Sequence, residues 1–316
     1  MTSLRPAPTS RRRPQERRPI DVARARSTTT QPEDGPAAGD VEAARAQLES
    51  KGLPADGFEV TDADFDALSM AVQAALTALL ARQQGVIVAR LRAPKIRKHT
   101  RFWEPEDEND TRSGDANIDE DRVVSAARWE EETTNTLAPI LQQAATTTAR
   151  RLGQAIASTD TVPPAAVASA LVAAVYAGQA VAALLGDLVE ELHSLQTIPE
   201  AELKLEDLER TVGRFYERAG LGWAAQIAET CAVSTINGAA DAAAESAGPG
   251  VVRTWVTRKD DRVRPAHKTL QGKTLPVGTP YTVDGAQLRY PGDPFAPLAL
   301  TINCRCRLHY DTDPKE

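Results

Sequence analysis

The residues best suited to chemistry lie near the C-terminus: His267, then Cys304 and Cys306 with a single residue between them. A strand alternates its side chains, so Cys304, Cys306, Leu308 and Tyr310 are expected on one face and Arg305, Arg307 and His309 on the other. Two thiols on one face make half of a metal site, and an imidazole brought across by the preceding turn adds a third donor. Zinc is the ion such a set would suit. Asp260, Asp261 or Asp293 are candidate oxygen donors for a fourth position, whereas His309 would need a bulge or a strand end at Cys306 to turn inward. Without a metal, the same residues read as a hydrogen-bonded core in which His267 and the carboxylates hold turns together and the cysteines pack as small apolar side chains. A disulfide between Cys304 and Cys306 is disfavoured, because residues two apart on a strand rarely allow unstrained bridge geometry.

Catalytic constellations are scarce. The sequence has no Gly-Xaa-Ser-Xaa-Gly elbow, no phosphate loop ending in Gly-Lys-Ser/Thr, no Gly-Xaa-Gly-Xaa-Xaa-Gly and no His-Glu-Xaa-Xaa-His. His267, a cysteine and Asp261 could imitate a thiol hydrolase, but nothing else completes that arrangement. The expectation is a protein that is not an enzyme.

The elements that must position these residues follow from turn chemistry. Gly248-Pro249-Gly250 cannot continue a helix, and beyond it alanine thins while β-branched residues and prolines multiply. Residues 251–257 read as a strand, followed by a polar turn at residues 259–262. Pro265 can open a short helix carrying His267 and Leu270, with Gly272 placed to end it. Asp284-Gly285 signals a hairpin between residues 281–283 and 287–290. Residues 300–310 look like a closing strand.

Upstream, helices dominate. One begins at Thr61 or Asp62, with Phe65, Leu68, Val72, Leu76 and Leu79 on one face, and stops by Pro94. Residues 95–112 pass from basic to acidic around Phe102 and Trp103, as a contact patch or a loop pinned by one Trp. Helical patterning resumes at Asp119, and Pro139 either opens a helix or kinks a continuous one. Pro163-Pro164 introduces a long Ala/Val/Leu helix through Leu171, Val175, Val181, Leu185 and Leu188, and Pro199 starts an acidic one. His193, near the end of the long helix, faces the negative end of the dipole, and Cys231 reads as a buried thiol.

Composition sets the frame. The 316 residues carry a net charge of −7 and only 4% aromatics, which favours closely packed helices over a thick aromatic core. Residues 1–55 form an expected disordered Arg/Pro-rich tail. In it Arg11, Arg12, Arg13, Arg17 and Arg18 are candidate phosphate contacts to DNA. Three cysteines make a poor disulfide framework and point to synthesis in a reducing cytoplasm. No unbroken run of about 18 apolar residues exists to span a membrane, and no membrane partner is expected.

The spaced motifs of the C-terminal third are more specific together than singly. Trp255-Val256-Thr257-Arg258-Lys259-Asp260-Asp261-Arg262-Val263-Arg264-Pro265-Ala266-His267, then Leu270 and Gly272, then Tyr290-Pro291-Gly292-Asp293-Pro294 and Asn303-Cys304-Arg305-Cys306, closely resemble the phage head morphogenesis domain. This is the family of minor head proteins similar to the F protein of phage Mu. Ile227-Ala228-Glu229-Thr230 resembles the helical lead-in of the same domain, with the usual Thr-Glu order reversed. The resemblance covers residues 205–310. It implies a minor capsid protein made in the bacterial cytoplasm, carried inside the virion head near the portal and acting in capsid assembly and DNA packaging. The implied partners are the portal protein, the major capsid or scaffolding protein, and packaged DNA. The family's His and Cys positions fall on His267, Cys304 and Cys306. Some relatives fuse this domain to a protease or toxin, so a protease- or toxin-associated module is one alternative; a metal-binding nucleic-acid-processing enzyme is another.

The expected fold is therefore α+β: a tail at residues 1–55, an Ala-rich helical region at 56–204, and a small strand-and-turn domain at 205–316.

Overall fold

A computed structural model gives the fold for residues 58–92, 123–195 and 204–312. The arginine cluster from Arg11 to Arg18, the segment with Phe102 and Trp103, and the start of the helix expected at Pro199 lie outside the described residues. The architecture is α+β, with a helical region followed by a small cluster of antiparallel strands.

Helix α1 spans Asp62–Arg92. Its first turn is closed reciprocally. The Asp64 N–H donates to Thr61 Oγ1 at 3.3 Å and the Thr61 N–H donates to Asp64 Oδ2 at 2.9 Å, which satisfies two backbone donors that the helix cannot. Phe65, Leu68, Val72, Leu76, Leu79, Ile87 and Leu91 form its buried stripe. Helix α2, Ala126–Ala157, runs unbroken through Pro139, which resolves the alternative left open by the sequence. Helix α3, Pro164–Ser194, has its proline in the first turn, where the missing N–H costs nothing. Its buried face includes Ala170, Ala173, Ala174, Ala177 and Gly178. Leu171 and Val175 are exposed, so small residues mark the packed side in the first half of α3, while Val181, Leu185 and Leu188 are buried further on.

Helix α4, Leu205–Arg218, passes through a π-helical turn at Ala219–Trp223 into α5, Ala224–Ala247. α5 packs against α1, α2 and α3, and every residue from 230 to 244 is buried. A helix enclosed on all sides has no amphipathic stripe to show, and small side chains let its neighbours come close. A Cβ on Gly238 would sit 2.8 Å from Ser169 Cβ and 2.9 Å from the Tyr290 hydroxyl. The core is continuous across residue 205, where the sequence placed a boundary.

The strands are β1 (Phe58–Glu59), β2 (Val252–Val256), β3 (Thr274–Pro276), β4 (Tyr281–Val283), β5 (Ala286–Leu288) and β6 (Arg307–Asp311). Four of them form an antiparallel sheet in the order β1-β6-β2-β3, with Trp255 opposite Leu308 and Phe58 opposite Tyr310. The hairpin β4-β5 turns through Asp284 and Gly285, both at positive φ, as an Asp-Gly pair favours. Short helices α6 (Pro265–Lys268) and α7 (Leu298–Thr301) fill the connections. The closing strand is thus shorter than expected: a helical turn occupies its first residues, and the ladder begins only at Arg307. Two helices, α1 and α3, are apolar enough to cross a membrane by length and composition. Counting unbroken apolar runs missed them because polar residues interrupt each one; core helices pass the same test.

Candidate metal centre

β2 is the platform of the site. Its inward face carries Arg253 and Trp255, both 0% exposed. The main chain of Trp255 then orders the following loop, since its backbone N–H donates to the Lys273 carbonyl at 3.0 Å and its carbonyl accepts from the Gly272 N–H at 2.8 Å. Gly272 adopts φ 76°, a left-handed conformation that a side chain resists. Between those points Pro265 starts α6 and brings His267 beneath the indole, edge to face at 5.4 Å between ring centroids.

The thiols come from the approach to β6. Asn303, at φ 53°, bends the chain after α7 and donates its N–H to Thr230 Oγ1 on α5 at 3.1 Å. Cys304, Cys306, Leu308 and Tyr310 then point inward, while Arg305, Arg307 and His309 are partly exposed, as strand alternation requires. His267 Nδ1 lies 3.6 Å from Cys304 Sγ and 3.7 Å from Cys306 Sγ. The donor atoms of all three residues fall within 4.8 Å of one another, so the group could hold a metal ion. Their side chains are enclosed, at 1%, 1% and 2% exposure for His267, Cys304 and Cys306. Both cysteines are free thiols.

The electrostatics of the two thiols differ. The Cys304 thiol is drawn well below the ordinary thiol range, chiefly because Cys306 hydrogen-bonds to it and then because His267 faces it, both acting against burial. Cys306, as the partner that keeps its proton, is pushed up by that same bond and by burial. The two thiols are thus driven in opposite directions.

The oxygen donors expected for a fourth position do not join the group. Asp260 is ion-paired with Arg305. Asp293 is held by Arg289 at 2.7 Å and accepts from the Phe295 N–H at 3.0 Å, while Asp261 is exposed. A carboxylate in a turn is claimed first by nearby arginines and backbone N–H groups, which the sequence pattern could not reveal. His309 stays outside the group, on the opposite side of the strand.

The remaining motif residues act as fasteners. Arg262 reaches Glu229 on α5 at 3.1 Å, and Arg264 donates to the Ile302 carbonyl. Pro291 is buried and offers its carbonyl to Asn237, Gly292 turns at φ 78° against Val233 and Ser234, and Pro294 is half-buried.

Several residues of equal weight escaped the sequence reading. Asn237 Nδ2 donates to the carbonyls of Pro291 and Cys306, each at 3.1 Å, and so ties α5 to both ends of the second motif stretch. One turn later Asp241 pairs with Arg253, their side chains 4% and 1% exposed. Burial pushes the Asp241 carboxyl up to about 6, with the Arg253 cation opposing. Arg253 also donates to the Thr279 carbonyl at 2.9 Å and lies over the Tyr281 ring. The available signal was spacing: Asn237 and Asp241 are polar residues four apart in an Ala-rich helix, and Arg253 shares the inward face of a strand with Trp255.

No family model matches the chain, and neither a curated protein nor a solved structure matches it.

Proposed function

We propose that this chain is a phage minor head protein of the head morphogenesis family, acting in procapsid assembly at the portal vertex. The observation that supports the reading best is how the motif residues assort. Two stretches separated in sequence, from Trp255 to Gly272 and from Tyr290 to Cys306, meet in one compact module on α5, and nearly every motif side chain has a structural partner there. Such a module acts by binding. The enclosure of His267, Cys304 and Cys306 leaves little surface for a substrate, which favours a structural fastening over a catalyst, and soft donors of this kind suit zinc.

In this role exposed apolar positions on α3, Leu171 and Val175, offer contacts for the portal or for major capsid or scaffolding subunits. The cluster Arg11, Arg12, Arg13, Arg17 and Arg18 meets packaged DNA through phosphate contacts. The protein is made in the bacterial cytoplasm and retained inside the virion head. Co-expression with the portal protein tests the assignment: the tagged chain should co-purify with portal subunits, and a chain that never does so argues against it. Deleting residues 1–30 should weaken DNA binding at low salt; unchanged affinity would retire the tail's role.

A further inference from the structure

In the His267, Cys304 and Cys306 group no single hydrogen bond serves all three donor atoms. A single ring nitrogen has one hydrogen-bonding direction, either a lone pair or an N–H. Yet both sulfurs lie at nearly equal distance from Nδ1, 3.6 and 3.7 Å. Only one of them can be served by a bond along that direction. A cation at the centre of the triangle serves all three donors at once.

The separations also carry a quantitative signature. Zinc bonds of about 2.3 Å to sulfur and about 2.0 Å to imidazole nitrogen, at a tetrahedral angle, place sulfur and nitrogen about 3.5 Å apart. The two observed edges agree with that figure to within about 0.2 Å, using the same bond lengths. The donor types agree as well: two thiols and an imidazole are a set that zinc prefers over magnesium or calcium, which take oxygen. The ligands come from segments 37 and 39 residues apart in sequence, so an ion between them would close a long loop.

We propose that His267 Nδ1, Cys304 Sγ and Cys306 Sγ bind one Zn²⁺ ion, which fastens α6 to the approach of β6. Binding displaces the remaining thiol protons to solvent and leaves both sulfurs as thiolates. Three protein donors leave one of zinc's four positions to a water molecule, the coordination of an open site, and the enclosure of the group by the fold is what keeps it a fastening. The strands joined here are only three to five residues long, and a metal staple supplies what so small a sheet lacks. This inference rests on reading the group as a structural fastening and is independent of the role in head assembly. A metal-free protein would leave portal association standing, and a missing portal association would leave the metal result standing.

The test is metal analysis of the full chain, expressed with zinc in the medium and purified without chelator. About one zinc per chain is expected, as a single site requires; less than about a tenth of an equivalent overturns the proposal. Cys304→Ser and His267→Ala should each lose the metal, while Cys231→Ser, outside the group, should keep it. A full equivalent in Cys304→Ser overturns the ligand assignment. Should those variants fail to fold, the wild-type chain expressed in cobalt-supplemented minimal medium decides. Tetrahedral thiolate ligation gives intense visible bands and a near-ultraviolet sulfur-to-cobalt charge-transfer band, and their absence refutes the site.

Discussion

Gly178 and Gly186 lie two turns apart on α3, and the same substitution at each should move stability in opposite directions. At Gly186 nothing stands within 4 Å of a new Cβ. Ala there gains helix propensity alone, about 1 kcal/mol. At Gly178 the new Cβ would lie 2.6 Å from the Glu130 carbonyl oxygen and closer still to Thr134 Oγ1. The threonine hydroxyl can rotate, but the Glu130 carbonyl belongs to the helical backbone near the start of α2 and cannot. The two helices must part, and the dispersion contacts between them fall off steeply with separation. Overpacking costs about 1–3 kcal/mol, which outweighs the propensity gain at most of that range. We therefore expect Gly178→Ala to destabilise by up to about 2 kcal/mol while Gly186→Ala stabilises by up to about 1 kcal/mol. In a chain of this size each kcal/mol moves the melting temperature by about 2–4 °C. Thermal and urea unfolding of the full-length variants measure the difference. If Gly178→Ala stabilises as much as Gly186→Ala, the close approach of α2 and α3 is wrong.

Two buried polar ties give further predictions. Asn237→Ala leaves the Pro291 and Cys306 carbonyls without their donor and should cost about 2–4 kcal/mol; it should also speed labelling of Cys304 and Cys306 by a thiol reagent, and unchanged labelling would detach Asn237 from the site. Arg253→Met strips Asp241 of its cation and should cost about 3–5 kcal/mol at neutral pH. That loss should shrink in acid. The Asp241 carboxyl already titrates near 6 in the fold against 3.8 in the open chain, and without Arg253 it titrates higher still. The folded state then holds the proton more tightly, so stability from this group is present below pH 4 and lost as pH rises through the folded value. A cost independent of pH in urea unfolding would contradict this.

Much of the fold was legible because its signals are local. The Thr61 cap, the Asp284-Gly285 hairpin, the short helix opened by Pro265 and the strand around Trp255 each rest on residues adjacent in sequence. The alternation that puts Cys304 and Cys306 together and His309 apart is likewise a property of one segment. What stayed hidden depends on partners remote in sequence. The pairing of Phe58 with Tyr310 joins distant parts of the chain across a two-residue strand, too short to carry a pattern. Asp260 looked like a free ligand because nothing in its own turn shows that Arg305 claims it, whereas Asp293 is claimed locally by Arg289, four residues before it. Of the large apolar residues on α3, Val181, Leu185 and Leu188 are buried but Leu171 and Val175 are exposed, because the first half of the helix packs through alanine and glycine, whose hydrophobicity signals are weak. The helix α5 gave no stripe because it has no exposed side over most of its length.

The most direct measurement of the account is cross-linking mass spectrometry on purified procapsids. Lys259, Lys268 and Lys273 are exposed on the C-terminal module and available to an amine-reactive linker. The account predicts a few copies of the chain per particle, with links concentrated on portal subunits. Absence of the chain from procapsids, or links spread evenly over the shell with none to the portal, would contradict it.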